Sequence, residues 1–380
     1  LEGAKCSVDA ELYSFSDKDI WDSLISAADR GVAVRLLLNK SFFPKSATKC
    51  KYCGMLIKKG GEVRHHALTM HHKFSVIDSF CDDPLVLTGS GNWSISSNNL
   101  YDEDFLLYDN RSAALGEAQK AFFNEFSYLW NYAKTFPKRL QDPQTGITPN
   151  RFAGFYFTSQ NMYPRFFRGN WTFSKMRQLK VGISGDAIIT AIDRATSEIL
   201  IATAHFRRPD IYAALVQAAS RGIKIVLITD GQQFSNVSRN SCGYGLDNDK
   251  HLDECLQLDE IGQTFYKYYS VVWNYRTARQ MHAKYVIVDR KVVLTGSFNW
   301  SYTAEFKNLE NLIVLNQADI VEQYITNFGK LLAYGHGKLD GLLEKIEKKA
   351  GKGPCNFEPL TISGKDIIKV RSKVVRDFCR

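Results

Sequence analysis

A chain of 380 residues with 44% hydrophobic and 23% charged side chains can bury a large core, as two units or one pseudo-symmetric body, which excludes a disordered or collagen-like protein. Its most apolar stretch, Ala187 to Ala204, is broken by Asp193, Arg194 and Glu198, so no run reaches the roughly 18 apolar residues of a membrane span. Lys and Arg number 49 against 40 Asp and Glu, and the formal charge of +9 favours polyanionic partners, whether nucleic acid or acidic lipid headgroups.

The opening, Leu1-Glu2-Gly3-Ala4-Lys5, lacks the basic and then apolar pattern of a signal peptide, so any leader is expected to have been removed. From Asp19 the spacing predicts an amphipathic helix stopped at Gly31, followed by a short strand through Leu36. Cys50-Lys51-Tyr52-Cys53 has the spacing of a zinc knuckle, with Cys81, His65 and His66 as completing ligands, or of one end of a disulfide pair. No second CxxC completes a four-ligand set, so a disulfide is favoured over zinc. Met70 to Asp78 predicts a strand, Thr88 to Ser94 a turn of small residues, and Asp102-Glu103-Asp104 the opening of another apolar strand. Gln141 to Asn150 is polar and turn-rich, as a linker would be.

Beyond the linker the elements return. Asp19 to Leu36 matches Asp210 to Leu227, displaced by 191. Met70-His71-His72-Lys73 to Asp78 matches Met281-His282-Ala283-Lys284 to Asp289, displaced by 211. Thr88-Gly89-Ser90-Gly91-Asn92-Trp93-Ser94 matches Thr295-Gly296-Ser297-Phe298-Asn299-Trp300-Ser301, displaced by 207. The second copy therefore carries an insertion holding Cys242 and Cys255, and the first carries extra residues around Cys81 to Pro84. In this register residue 1 corresponds to Ile192, so a first-unit counterpart of Phe152 to Ala191 is expected to be missing. The expected fold is α/β: two pseudo-symmetric units at 1–140 and 152–335, each a mixed β-sheet flanked by helices. A linker at 141–151 joins them, and a basic extension at 336–380 follows as helix and loop.

Each unit carries His-x-Lys-x4-Asp. On a strand, residues two apart share a face, so His and Lys point together, and the following Gly-Ser-x-Asn turn adds a carboxamide where backbone approaches a ligand closely. An imidazole, an ammonium and an amide suit an oxyanion such as phosphate, and two such sets would place two histidines on one phosphorus. Both copies resemble the HKD motif of the phospholipase D superfamily, over roughly residues 8 to 333. The resemblance implies one active site between the halves. One His attacks phosphorus to form a phosphohistidine while the other protonates the leaving oxygen and later activates water. It implies His71 and His282 as catalytic histidines, Lys73 and Lys284 as phosphate-binding cations, Asn92 and Asn299 as amide donors, and Glu103 and Glu310 as the carboxylates orienting the histidines, with no metal or other cofactor required for catalysis. Asp78 and Asp289 are assigned to structure at the strand ends. A lone buried His is ordinarily a satisfied core residue; two copies with matched Lys, Asn and Glu reverse that.

His72 alternates to the opposite strand face and reads as structural; His65 and His66 read as loop residues or metal candidates, His251 as solvated. His205 can reach the cleft but is matched by Ser14. The Asn-Trp-Ser sequons coincide with the proposed site, so glycosylation there is not expected. The Gly-Ser-x-Asn-Trp-Ser turn looks more like the nuclease and mitochondrial branch of the superfamily than the cardiolipin synthases. Ser90 and Ser297 are placed at the substrate, and Tyr269, Trp273, Arg276 and Arg279 are placed along a groove that stacks bases and neutralises phosphates. Phe155, Tyr156, Arg165, Phe166, Phe167 and Arg168 read equally as core aromatics with a solvated edge or as a second such surface. Nucleic acid is the expected substrate, anionic phospholipid the alternative, and a non-catalytic polyanion-binding module a third reading that the intact histidines oppose. Both motifs on one chain predict a monomer. Cys242 with Cys255 and Cys355 with Cys379, in irregular sequence, are expected to form local disulfides, in keeping with an oxidising, extracytoplasmic compartment rather than the cytoplasm.

Overall fold

The computed structural model describes residues 1–42, 50–135, 143, 149–230, 267–269 and 280–339. Most of the linker, most of the second-unit insertion with Cys242, His251 and Cys255, and the C-terminal extension beyond Leu339 with Cys355 and Cys379 lie outside these residues. In the first unit the strands are β1 (Ser7–Leu12), β2 (Ala33–Leu38), β3 (Glu62–His65), β4 (Thr69–Met70), β5 (Lys73–Ile77), β6 (Leu85–Gly89), β7 (Tyr101–Asp102), β8 (Phe105–Tyr108) and β9 (Lys134–Thr135). The helices are α1 (Lys18–Asp29), α2 (Lys51–Lys58), α3 (Ile95–Asn99) and α4 (Leu115–Tyr132). Seven of these strands form a sheet in the order β8-β6-β5-β1-β2-β3-β9, with β1, β2 and β3 parallel and β5 and β6 antiparallel.

The second unit contains β10 (Phe155–Phe157), β11 (Met162–Phe167), β12 (Asn170–Lys175), β13 (Glu198–Thr203), β14 (Phe206–Arg207), β15 (Lys224–Asp230), β16 (Lys267–Tyr269), β17 (Gln280–Met281), β18 (Lys284–Val288), β19 (Val292–Gly296), β20 (Trp300–Ser301), β21 (Asn308–Leu309) and β22 (Asn311–Leu315). Its helices are α5 (Ile183–Asp193), α6 (Pro209–Ser220), α7 (Tyr302–Lys307) and α8 (Ala318–Leu339). The second sheet runs β10-β22-β19-β18-β13-β15-β16, repeating the mixed pattern of the first.

Alternation along the strands decides which layer each face meets. Val8, Ala10 and Leu12 of β1 pack with α1 and α2 in one outer core, while Ile199 and Ile201 of β13 pack with α5 and α6 in the other. The inner faces of both sheets share one central core with α4 and α8, including Phe74, Phe122, Phe126, Tyr285, Ile287 and Phe328. The layers therefore run helix, sheet, paired helices, sheet, helix, and the two units meet over a continuous apolar interior.

The inner face of β1 is acidic, with Asp9 and Glu11 fully buried. Arg35 of β2 holds Asp9 through two hydrogen bonds, at 2.6 and 2.8 Å, and lies 5.0 Å from the Phe126 ring of α4. Glu11 is hydrogen-bonded to Nδ1 of His72, which is also fully buried. Beyond them Glu125 of α4 accepts a 2.7 Å bond from Ser159 Oγ, and burial pushes its carboxyl up to about 8. A folded-state value above the unfolded 4.5 means that the contribution of Glu125 is full at low pH and is lost as pH rises through 8. Glu125→Gln is expected to reduce the fall in Tm between pH 6 and pH 9; an unchanged pH profile would remove Glu125 from this role.

Asp78 and Asp289, the last residues of the two motifs, sit past the ends of β5 and β18 in left-handed backbone, φ 53° and 51°. The Asp78 carboxylate accepts the N–H groups of Lys5, Cys6 and Ser7 at 2.7–3.0 Å, and Asp289 accepts those of Thr196, Ser197 and Glu198 at 2.7–3.1 Å. Each fastens the start of the neighbouring central strand, far from the His end. The extra residues after Asp78 have a use that the sequence did not disclose: they carry Cys81 to a disulfide with Cys6, Cα–Cα 6.3 Å. Cys81 is therefore not a ligand partner of Cys50 and Cys53, which are joined to each other at the start of α2, Cα–Cα 5.2 Å. His66 is buried against Phe173, and its Nδ1 accepts the Leu68 N–H. Two disulfides occupy four of the eight cysteines, so denatured, unreduced protein is expected to show no more than four reactive thiols. Cys6→Ser, by opening a loop of 75 residues' separation, is expected to lower stability by about 2–4 kcal/mol in a denaturant titration. A count near eight thiols would contradict both pairings.

Candidate active site

The two motifs meet because each unit lends the other a strand. β4, immediately before His71, pairs in parallel with β21 of the second unit, and the His71 N–H donates to Leu309 O at 3.0 Å. β17, immediately before His282, pairs in parallel with β7 of the first unit, and the His282 N–H donates to Asp102 O at 2.9 Å. The residue after each accepting carbonyl is a glutamate, so the backbone exchange sets up a side-chain exchange. His71 Nδ1 lies 2.6 Å from Glu310 Oε2, and His282 Nδ1 lies 2.8 and 2.9 Å from the two oxygens of Glu103. Each histidine is thus oriented by the carboxylate of the other unit. An Nδ1–H donated to a carboxylate leaves Nε2 as the free basic nitrogen.

The carboxylates are themselves braced. Glu103 accepts from Ser90 Oγ at 2.7 Å and Ser97 Oγ at 2.9 Å; Glu310 accepts from Ser297 Oγ at 2.7 Å and Asn308 Nδ2 at 3.0 Å. Ser90 and Ser297, expected at the substrate, are fully buried and hold the glutamates instead. They also accept the N–H groups of Asp104 and Asn311, which closes the turn behind each site. Gly89 and Gly296 precede these serines at φ 141° and 144°, and a side chain at either would strike the backbone of Asp104 or Asn311.

Lys73 and Lys284 follow the histidines on β5 and β18, and each ammonium donates to the carbonyl of its own histidine, Lys73 at 2.5 Å. Asn92 and Asn299 stand where the turns leave β6 and β19, with Oδ1 atoms that have no partner among the described residues. The rest of each Asn-Trp-Ser is structural: Trp93 and Trp300 are buried, and Ser94 and Ser301 cap α3 and α7. Tyr13, which the sequence did not single out, packs 4.5 Å from His71 and lies 5.1 Å from the Lys73 ammonium. Tyr101 lies 5.8 Å from His282. Thr158, also missed, receives the Glu310 N–H and donates to Asn308 O, bracing the second carboxylate from the start of the second unit. Tyr13 has Ala204 as its repeat counterpart and Tyr101 has Asn308, so self-similarity carried no signal for them.

The halves are chemically unequal. Burial, together with Lys73, Lys284 and His282, holds His71 well below the usual imidazole range. Burial lowers His282 too, against the opposing pull of Glu103. Burial would raise Glu103, but His282, Lys284 and the Ser90 hydroxyl outweigh it and bring the carboxyl to about 2. Glu310 is instead raised by burial to about 7, and Lys73 is lowered by burial to about 7. Burial thus favours the neutral form with a free Nε2, which attack requires, while Glu103 beside His282 pulls toward the imidazolium, which proton donation requires.

Tyr269 ends β16, paired through its backbone with β15; Trp273, Arg276 and Arg279 lie outside the described residues. His205 follows the end of β13, whose Thr203 is level with Lys284. Among the described residues no group of three His, Cys, Asp or Glu side chains is placed to hold a metal ion, and no helix is long and apolar enough to cross a membrane.

The family described as "Cardiolipin synthase, PLD-like domain" matches residues 1–130 and 188–332. A phospholipase D of Rickettsia felis is 28% identical over 145 residues, 37% of this chain and 60% of the relative. A mitochondrial cardiolipin hydrolase of Xenopus laevis is 30% identical over 132 residues, 34% of this chain and 57% of the relative. The chain thus spans about 60% of the length of the curated relatives it matches. The polyphosphate kinase of Porphyromonas gingivalis superposes over 88% of this chain and 44% of its own, with a TM-score of 0.57 at 12% identity, a likeness of fold alone. A family match that runs through both units, over two sheets of one pattern, shows that the chain belongs to the phospholipase D superfamily.

Proposed function

We propose that the chain is a phosphodiesterase that works through a phosphohistidine without a metal, and that nucleic acid is its substrate. The crossed His71–Glu310 and His282–Glu103 pairs carry this reading, because they bring two imidazoles, each oriented by a carboxylate, to one interface. Nε2 of one histidine, in its neutral form, attacks phosphorus, the P–O bond to the leaving group breaks, and the departing oxygen takes the Nε2 proton of the other histidine, which enters the step as imidazolium paired with its glutamate. Water then gives a proton to that second histidine and attacks phosphorus, and the P–N bond breaks to release the first. Lys73, Lys284, Asn92 and Asn299 neutralise and hold the non-bridging oxygens throughout.

The charge of +9 supports a polyanionic substrate. The names of the relatives, phospholipase D and cardiolipin hydrolase, support phospholipid as the second reading. A parallel assay of single-stranded DNA, duplex DNA, RNA and anionic phospholipid, with and without chelator, tests both parts. Nucleic-acid cleavage that persists in chelator is expected. Phospholipid hydrolysis alone would overturn the substrate; loss of turnover in chelator with circular dichroism unchanged would overturn the metal-free mechanism.

A further inference from the structure

The β11–β12 hairpin belongs to neither large sheet. Its register divides it into two faces. Met162 and Phe173, 2% and 6% exposed, anchor the inner face, and Trp171 leans on Tyr132 at the end of α4. The outer face carries Tyr163, Arg165 and Phe167 in a row, with Ser174 and Thr172 opposite the first two. Tyr163 is 43% and Phe167 48% exposed, and the guanidinium groups of Arg165 and Arg168 lie 5.3 and 5.1 Å from the Phe167 ring.

The place of this row matters. Phe173 packs 4.8 Å from His66, one residue past the end of β3. His65 is level with Leu38, Leu38 with Leu12, and Leu12 with Lys73, so the hairpin stands at the same end of the sheet as the catalytic set. Three strand spacings, about 14 Å, separate β3 from β5.

We propose that the outer face of the β11–β12 hairpin is a binding platform for single-stranded nucleic acid, guiding the strand toward His71 and His282. The proposal deepens the nucleic-acid reading given above and rests on it for its substrate class. Bases stack on exposed aromatic rings only when their faces are open, as in a single strand, while guanidinium groups between the rings meet the phosphates. The hydroxyls of Ser174 and Thr172 beside the row suit a wet polyanion and oppose burial in hydrocarbon, so the face favours nucleic acid over a bilayer.

The test is fluorescence anisotropy of labelled oligothymidylate with the full chain in a His282→Ala background, which prevents turnover. The double variant Tyr163→Ala/Phe167→Ala is expected to weaken binding at least tenfold. Thr172→Glu, which removes no packed ring and sets a carboxylate beside Arg165, is expected to weaken it as well. In the wild-type background, hydrolysis of bis(4-nitrophenyl) phosphate is expected to be unchanged by either set. Oligonucleotide affinity within twofold of the parent would overturn the platform, as would a loss seen on phosphatidylglycerol vesicles and not on the oligonucleotide. If oligonucleotides are cleaved while the hairpin variants bind them normally, the platform fails and the nuclease reading stands. If only phospholipid is hydrolysed while oligothymidylate still depends on Tyr163 and Phe167, the nuclease reading fails and the platform stands.

Discussion

His71→Ala and His282→Ala are each expected to lower phosphodiester turnover by at least about 10⁴-fold, because without the nucleophile no intermediate forms and without the acid–base histidine the intermediate is not released. Both side chains are nearly buried, so the fold has to be checked beside the kinetics. The central core under α4 and α8 does not include either ring, and far-UV circular dichroism and Tm are expected to stay close to wild type. Turnover above one hundredth of wild type in either variant would break the two-histidine mechanism.

Glu103→Gln and Glu310→Gln are expected to have the next largest effect, lowering kcat by about 10²- to 10⁴-fold with little change in KM, as loss of an orienting carboxylate does in a hydrolytic triad. Their signature is crossed. Glu103 bonds His282 across the unit boundary, so Glu103→Gln removes the anion that favours the His282 imidazolium and lowers that residue's pKa further, leaving the His71 resonance in place. Glu310→Gln is expected to perturb the ring resonances of His71 and leave those of His282. Ring-nitrogen NMR of the two variants reads this directly; each glutamate acting on the histidine of its own unit would contradict the exchange.

Self-similarity made much of the site legible. A displaced copy of the same residues located both histidines, lysines, asparagines and glutamates, and the period-two rule put His and Lys on one strand face. The exchange of glutamates was not legible, because it depends on β4 pairing with β21 and β7 with β17, contacts between segments over 170 residues apart. Ser90 and Ser297 were misplaced for a local reason: a hydroxyl beside an asparagine looks like a ligand group, yet the turn after β6 and β19 aims it back at the carboxylate. The Cys6–Cys81 pair was invisible in spacing, since only the β1–β5 pairing brings those ends together. Asp9 and Glu11 break the expected apolar pattern of a central strand and are accommodated by Arg35 and His72, partners that lie on other strands or beyond their ends.

The central claim is a covalent intermediate on one histidine of a site shared by both units. It is tested by mixing the enzyme with a labelled phosphodiester, quenching in alkali, where phosphohistidine survives, and mapping the label by peptide mass spectrometry in the wild type, His71→Ala and His282→Ala. The account predicts one labelled peptide, containing His71 or His282, with the label lost when that histidine is replaced and formed without being released when the other is. A label on any other residue, or on the remaining histidine in both variants with turnover retained, would contradict it.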